Sequence, residues 1–348
     1  MGRPTQLLEA AVPQYLFAGV NISAGALHGV LTNARAEVSA ESTQPLMGKD
    51  PGSAGAAVSS LIDRLVETLD RTDLEDSGNQ VEPPRLCRVT ISVGGGTVGD
   101  RVGHEPSMGR LGEDLLQHVK TSLPTVTDLA SEPDSVVTLE RWFGAGVTAE
   151  SFAIVTVGEE VGSRFVTGAG PNLQLSRGRE GNSSTERSSE HPDTSAHLPI
   201  AGASGICQYG HVGCATGALS SAAVLGRARS GRILIGDSEQ RPFNLADLTY
   251  LADIGDEPSR RALGEYGMNL AIFLTTIARA TSVRDVVLNG EGLVLLENRW
   301  AEESFGKALT DFKVPGVADL RIMSRPHHQM RKARGAAAVG IARFLLES

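Results

Sequence analysis

Apolar and polar positions change period several times along this chain, and each change predicts an element. Tyr15 to Val20, Ala26 to Thr32 and Ala36 to Ser39 are short β-type runs separated by small or polar residues, which predicts three antiparallel strands joined by hairpin turns. Ala57, Leu61, Leu65 and Leu69 then recur every fourth residue within Ser53 to Asp70, the spacing of one apolar helix face. Leu86 to Val93 predicts a strand running into Gly94-Gly95-Gly96, and Leu111 to Val119 an amphipathic helix that closes a first unit near Pro124.

The same grammar restarts further on. Phe152 to Val157 predicts a buried strand, Gly158 to Gly162 a turn and Arg164 to Thr167 a strand edge. Leu263, Met268, Ile272 and Ile277 space a long helix over Pro258 to Ala280; the strand Val283 to Leu288 follows, ended by the turn Asn289-Gly290-Glu291-Gly292. Arg334 to Leu346 is Ala-rich and predicts a C-terminal helix packed on the body. Ser176 to Ser195 holds no Ala, Val, Ile, Leu, Met, Phe, Trp, Tyr or Cys. Burial cannot offset the entropy of ordering such a stretch, so a mobile surface loop is expected there. The pattern is two layered α/β units without a solenoid repeat.

Composition narrows the function classes. The 348 residues are 41% hydrophobic, enough for one large core or two medium ones. Asp and Glu outnumber Lys and Arg by 41 to 32, and no basic stripe is segregated, so the field opposes a phosphate backbone and direct DNA binding is not expected. No apolar run approaches the roughly 18 residues of a membrane span, and Glu9 and Pro13 break any secretory h-region, so a cytoplasmic protein is expected. Three cysteines, Cys87, Cys207 and Cys214, are too few to staple the chain and fit reduced thiols or a metal site; isolated Cys87 reads as core.

Four segments, in order, carry a resemblance to the ROK family of bacterial repressors and sugar kinases. Ala18-Gly19-Val20-Asn21-Ile22-Ser23-Ala24-Gly25 is similar to the family's G-V-D-I-G-G-T loop. Ser131 to Gly144, ending Glu140-Arg141-Trp142-Phe143-Gly144, stands where the family has N-D-x-N, then a Glu and an aromatic-Phe-Gly ending. His197, followed ten positions on by Cys207-Gln208-Tyr209-Gly210-His211-Val212-Gly213-Cys214, resembles the family's His and C-x-C-G-x-x-G-C at the same spacing, and Arg334-Gly335-Ala336-Ala337 its C-terminal G-A-A helix. The resemblance implies a two-lobed actin-like ATPase fold, α/β, each lobe an RNase H-like mixed sheet with helices. The expected division is a leader at 1–13, an N-terminal lobe at 14–130 plus 330–348, and a C-terminal lobe at 131–329 with a mobile loop at 175–196. A homodimer with an effector cleft between lobes is implied as well.

Departures from the family pattern bear on the chemistry. The first phosphate loop reads Asn21, Ser23 and Gly25 where the kinases have Asp, Gly and Thr, losing one charge and one hydroxyl. The second, G-T-G-x-G in the family, is Gly158-Glu159-Glu160-Val161-Gly162. Like charges about 4 Å apart at an effective dielectric near 20 repel by roughly 4 kcal/mol, on the order of a thousandfold in affinity, so ATP binding is expected to be poor. Glu132 falls on the family's catalytic Asp, one methylene longer, with Ser131 for the preceding Asn; an alignment shifted by two puts Asp134 there, and Glu132 and Pro133 also suit a plain helix start. Thr194 and Thr216 stand for two sugar-binding Glu residues, leaving His197 as the unchanged sugar ligand.

Structural zinc needs four N or S ligands, and three remain in His197, Cys207 and Cys214, because Tyr209 replaces the middle Cys and a neutral phenol ligates zinc poorly. Three outcomes stand open: His211 swings in, a water completes the shell, or the site is empty with the thiols merely buried, which is the preferred expectation. Met1-Gly2-Arg3-Pro4 resembles the stretch where ROK regulators pass from a winged helix-turn-helix to the sugar-binding body, so the chain reads as starting after a missing DNA-binding domain, the alternative being an arbitrary flexible leader. The preferred function is a non-catalytic, regulator-like protein that binds a sugar or sugar-like effector at Ser131, Glu132, Thr194, His197 and Thr216. The alternative is an ATP-Mg-dependent sugar kinase with Glu132 as general base.

Overall fold

The computed structural model of the chain describes residues 15–23, 25–48, 50–76, 84–94, 97–98, 101–102, 115–123, 125–159, 161–167, 194–230, 243–313, 319–325 and 328–347. The leader at 1–13, Ala24, the glycines at 95 and 96, Glu160 and all of the polar loop up to residue 193 lie outside the described residues, and Thr194 is described in its backbone alone. The described residues form two compact units, one up to Val147 and again from His328, the other in between.

The first unit is built on the sheet order β3-β2-β1-β4-β7, made of β1 (Tyr15–Ser23), β2 (Ala26–Thr32), β3 (Val38–Pro45), β4 (Arg85–Val93) and β7 (Val126–Ser131). A short antiparallel pair, β5 (Thr97–Val98) and β6 (Arg101–Val102), lies between β4 and β7 in sequence. As expected, β1, β2 and β3 are antiparallel, while β1, β4 and β7 run parallel. β3 starts later than Ala36, because Asn33 Oδ1 accepts the N–H groups of Arg35 and Glu37 and Ala36 turns left-handed at φ 55°, so residues 33–37 are spent on the turn. β7 escapes the sequence pattern: Asp128 interrupts its alternation, tolerated there because Arg88 Nη1 donates to it at 2.6 Å.

Alternation gives β1 two working faces. Leu16, Ala18, Val20 and Ile22 pack with Leu61 and Leu65 of α1 (Pro51–Asp76) and with Leu115 and Val119 of α2 (Leu115–Ser122). Phe17 points the other way, into Ala333, Ala337 and Ile341 of α9 (Gln329–Glu347). α9 comes so close that a Cβ on Gly19 would lie 2.0 Å from the Ala333 carbonyl oxygen and 2.5 Å from the Ala337 nitrogen. α3 (Glu132–Phe143) also packs on α9 in this unit, although the sequence reading counts its residues with the second lobe; a Cβ on Gly335 would meet the Ser135 carbonyl oxygen at 2.7 Å.

The second unit has the sheet β11-β10-β8-β9, with β8 (Ser151–Thr156), β9 (Gly162–Thr167), β10 (Asp285–Asn289) and β11 (Arg321–Ser324). Its core surrounds the long helix α7 (Glu257–Thr281), capped by Asp256, whose carboxylate accepts the Ser259 N–H at 2.9 Å, and buries Leu263, Tyr266, Leu270, Phe273 and Leu274. α4 (Ala215–Leu219), α5 (Ser221–Arg229), α6 (Leu245–Asp253) and α8 (Arg299–Asp311) complete it. α8 is absent from the pattern reading because it buries only small residues, Ala301 and Ala308, against α7. Among the described residues no helix is long and apolar enough to cross a membrane.

Gly19→Ala must push α9 off β1, whereas Gly25→Ala, at φ 82° with open space around it, strains only a turn. Urea unfolding is expected to show a loss of about 3 kcal/mol for Gly19→Ala against about 1 kcal/mol for Gly25→Ala. Equal losses would contradict the close contact.

Candidate functional site

The residues singled out from the sequence fall on both units. In the first, Asn21 sits on one rung of the sheet with His28 of β2 and Ser92 of β4. Asn21 is fully buried, and neither its Oδ1 nor its Nδ2 has a partner among the described residues, the condition of a polar group that a bound polar molecule or ordered water would satisfy. Burial, then His328 and Lys332, push the His28 pKa down, so two further basic groups converge beside this rung. Ser23 ends β1, and Gly25 makes the left-handed turn into β2.

Ser131 and Glu132 lie where β7 meets α3. Ser131 Oγ caps the helix, accepting the Asp134 N–H at 3.1 Å, so the plain helix-start chemistry is present. Glu132 carries more than that: its Oε1 lies 2.6 Å from Lys332 Nζ of α9, with both side chains mostly buried. The ammonium occupies the oxygen that a general base would turn toward a hydroxyl. Glu140 is a bracing residue: fully buried, it pairs with Arg331 and accepts the Ala145 N–H at 3.0 Å, tying α3 to α9. Lys332 could not be found by spacing, since the pair is 200 positions apart.

In the second unit Gly158 lies beneath a carboxylate that the pattern reading passed over. A Cβ on Gly158 would meet Cγ of Glu291 at 2.5 Å, and Glu291 Oε1 accepts the Ser221 hydroxyl at 2.8 Å while the Ser221 N–H binds the Gly158 carbonyl at 2.8 Å. Glu159, next in the chain, is exposed, and Gly162 opens β9 opposite Thr156. The loop thus presents Glu159 and has Glu291 folded over its glycine, where backbone N–H groups would have to meet phosphate oxygens.

His197 closes the short turn Thr194–His197, and Thr216 Oγ1 donates to the Ala196 carbonyl at 2.8 Å, which leaves its lone pairs to accept. Downstream, Ile206 pairs with Val212, Gly210 N–H bonds the Cys207 carbonyl at 2.9 Å and Cys207 N–H the His211 carbonyl at 3.1 Å. Gly210 at φ 82° makes this tight knuckle possible and returns His211 to the side of Cys207. The first of the three alternatives is therefore the geometry seen: His197, Cys207, His211 and Cys214 place their ligand atoms within 4.8 Å of one another.

Zinc at about 2.0 Å from nitrogen and about 2.3 Å from sulfur requires N···N of about 3.3 Å and N···S of about 3.5 Å in a tetrahedron. His211 Nδ1 stands 3.3 Å from His197 Nδ1, and both Cys207 and Cys214 Sγ stand 3.7 Å from it. These four residues fit a structural zinc and would hold it, bracing the knuckle against α4. Tyr209 takes no ligand place; its ring packs edge-on against His197 at 5.1 Å. Burial pushes the Cys207 thiol up, but hydrogen bonds from the Tyr209 and His211 backbone outweigh it and bring it below the usual thiol value, whereas burial holds Cys214 above it.

The model of the ROK family matches residues 79–342. No curated protein sequence matches the chain. Among solved structures, a ROK transcriptional regulator, a homolog of the E. coli Mlc protein, superposes with TM-score 0.70 at 16% identity over 96% of this chain and 81% of its own. The ROK hexokinase of Thermus thermophilus gives 0.67 at 16% identity over 95% and 99% of the two chains. A ROK glucokinase of Streptomyces griseus, in complex with glucose and AMPPNP, gives 0.63 at 16% identity over 93% and 98%.

Metal analysis of the purified protein is expected to find about one zinc per chain, released as pH falls because imidazole and thiolate must lose protons to bind. In His211→Ala, competition with a chelator should show affinity lower by about tenfold or more. Zinc-free protein with unaltered folding would overturn the assignment.

Proposed function

The chain belongs to the ROK family and carries its actin-like ATPase fold, and from that premise we propose that it binds a sugar or sugar-like effector without transferring phosphate to it. The observation that carries this reading is the carboxylate cover of the Gly158 loop. In the family resemblance this loop meets a nucleotide phosphate, and here Glu291 lies over its glycine with Glu159 beside it. A like charge within about 4 Å of a phosphate oxygen costs roughly 4 kcal/mol, more than one hydrogen bond returns. The Glu132–Lys332 ion pair supports the same reading, because it commits the carboxylate that a kinase would use as base.

Polar recognition is retained in both units. Asn21 offers two amide atoms that have no partner among the described residues, and Thr216 and His197 keep hydrogen-bonding capacity suited to hydroxyl groups. The reading includes a cytoplasmic homodimer that acts as a sensor or through protein partners and makes no direct contact with DNA. One observation favours the kinase alternative: Glu132 keeps a carboxylate at the start of α3 that is 26% exposed.

A thermal-shift panel separates the two. A hexose or amino sugar alone is expected to raise Tm by several degrees, ATP-Mg to leave it unchanged, and a coupled assay to detect no sugar phosphate. Replacing Glu159 and Glu291 together by Gln should raise nucleotide affinity by on the order of tenfold or more. Turnover of ATP in step with a hexose by the unmodified protein would refute the proposal.

A further inference from the structure

Outside the residues discussed so far, the second unit holds a polar cavity of about 250 Å³ between α5 and the start of α7. Arg227 of α5 forms one wall. Its Nη2 donates to the Ala218 carbonyl at 2.7 Å and Nη1 to that of Gly217 at 3.4 Å, so the guanidinium closes the C-terminal end of α4. Nε is buried and has no hydrogen-bond partner among the described residues; Glu265, at 3.4 Å, is the nearest carboxylate and is itself 41% exposed. Burial pushes the Arg227 pKa down and Glu265 offsets only part of it, as expected for a cation whose charge is incompletely matched.

The opposite wall adds a second cation. Arg261, on the first turns of α7, is exposed and makes no ion pair or hydrogen bond among the described residues. Ser204 brings a hydroxyl to the rim, and Ser230, whose Oγ donates to the Arg227 carbonyl at 2.8 Å, can accept. Two guanidinium groups against one carboxylate leave a local charge of about +1 in a chain whose formal net charge is −9.

We propose that this cavity is a binding site for a small oxyanion, a carboxylate or a phosphate group, held between Arg227 and Arg261. Guanidinium forks match both groups bidentately, and both arginines line the cavity. The site has a mechanical connection to the Cys/His knuckle. α4 is a single helical turn whose amino end is capped by Cys214 Sγ, which accepts the Gly217 N–H at 3.4 Å, and whose carbonyls are held by Arg227. A charge drawn to Arg227 therefore acts on the element that carries Thr216. None of this depends on which sugar, if any, the protein binds.

The test is calorimetric titration of the full chain with inorganic phosphate and, separately, with acetate, at constant ionic strength. Saturable binding of either ion is expected, and the stronger of the two names the group. Arg261→Gln should weaken binding at least tenfold with Tm unchanged in the absence of anion. Arg227→Lys, which keeps the charge but loses the fork, should weaken it as well, and its Tm shows whether α4 has been loosened. Absence of saturable heat for both ions, or binding in Arg261→Gln equal to that of the unmodified protein, would overturn the proposal.

Discussion

The first unit depends on backbone meeting backbone where α9 crosses β1. With no side chain at Gly19, the helix sits on the strand itself, Gly335 repeats the device against the Ser135 carbonyl of α3, and Gly340 leaves room for the Thr90 hydroxyl of β4. Interiors packed at near-crystalline density do not absorb even one added methyl at such a point. The consequence reaches the chemistry, because the depth of α9 places Arg331 on the buried carboxylate of Glu140 and Lys332 on Glu132. A buried carboxylate without a cation would be costly, so α3 and α9 are locked as a pair.

In the second unit the corresponding constraint is the short helix α4, satisfied at one end by a cysteine sulfur and at the other by a guanidinium. Gly205 and Gly217 touch so closely that a Cβ on the former would lie 1.7 Å from the carbonyl oxygen of the latter. The knuckle, α4 and α5 are thus one packed assembly, and the ligand atoms of His197, Cys207, His211 and Cys214 meet because of it. The tight turn at Gly210 returns the His211 imidazole, two residues beyond Tyr209, to the side of Cys207.

The elements legible in the sequence are those whose order is local. α1 and α7 bury a regular stripe, β1, β2, β4 and β8 are short apolar runs and the C-terminal helix is Ala-rich, all of them signals carried by neighbouring residues. β7, α4 and α8 were illegible for a shared reason: each is held by something outside itself. β7 tolerates Asp128 through Arg88, α4 is one turn held by Cys214 and Arg227, and α8 packs small residues on a facing helix. β3 starts later than its pattern predicts for the opposite reason, two backbone N–H bonds accepted by Asn33 Oδ1 outcompeting strand propensity over five residues.

What the chain determined by itself is the family likeness, the alternation of strand and helix, and the chemical identity of the degenerate loops, because these are properties of residue type and spacing. Glu159 is a carboxylate in the second glycine loop whatever surrounds it, and Asn21 lacks the charge of an aspartate in any environment. Tertiary structure alone decided which groups meet: Lys332 with Glu132, Glu291 over Gly158, His211 beside His197, Arg227 on the end of α4. Ion pairs and hydrogen bonds act over a few ångströms of space, and chain separation, which is all that a sequence records, does not measure that distance.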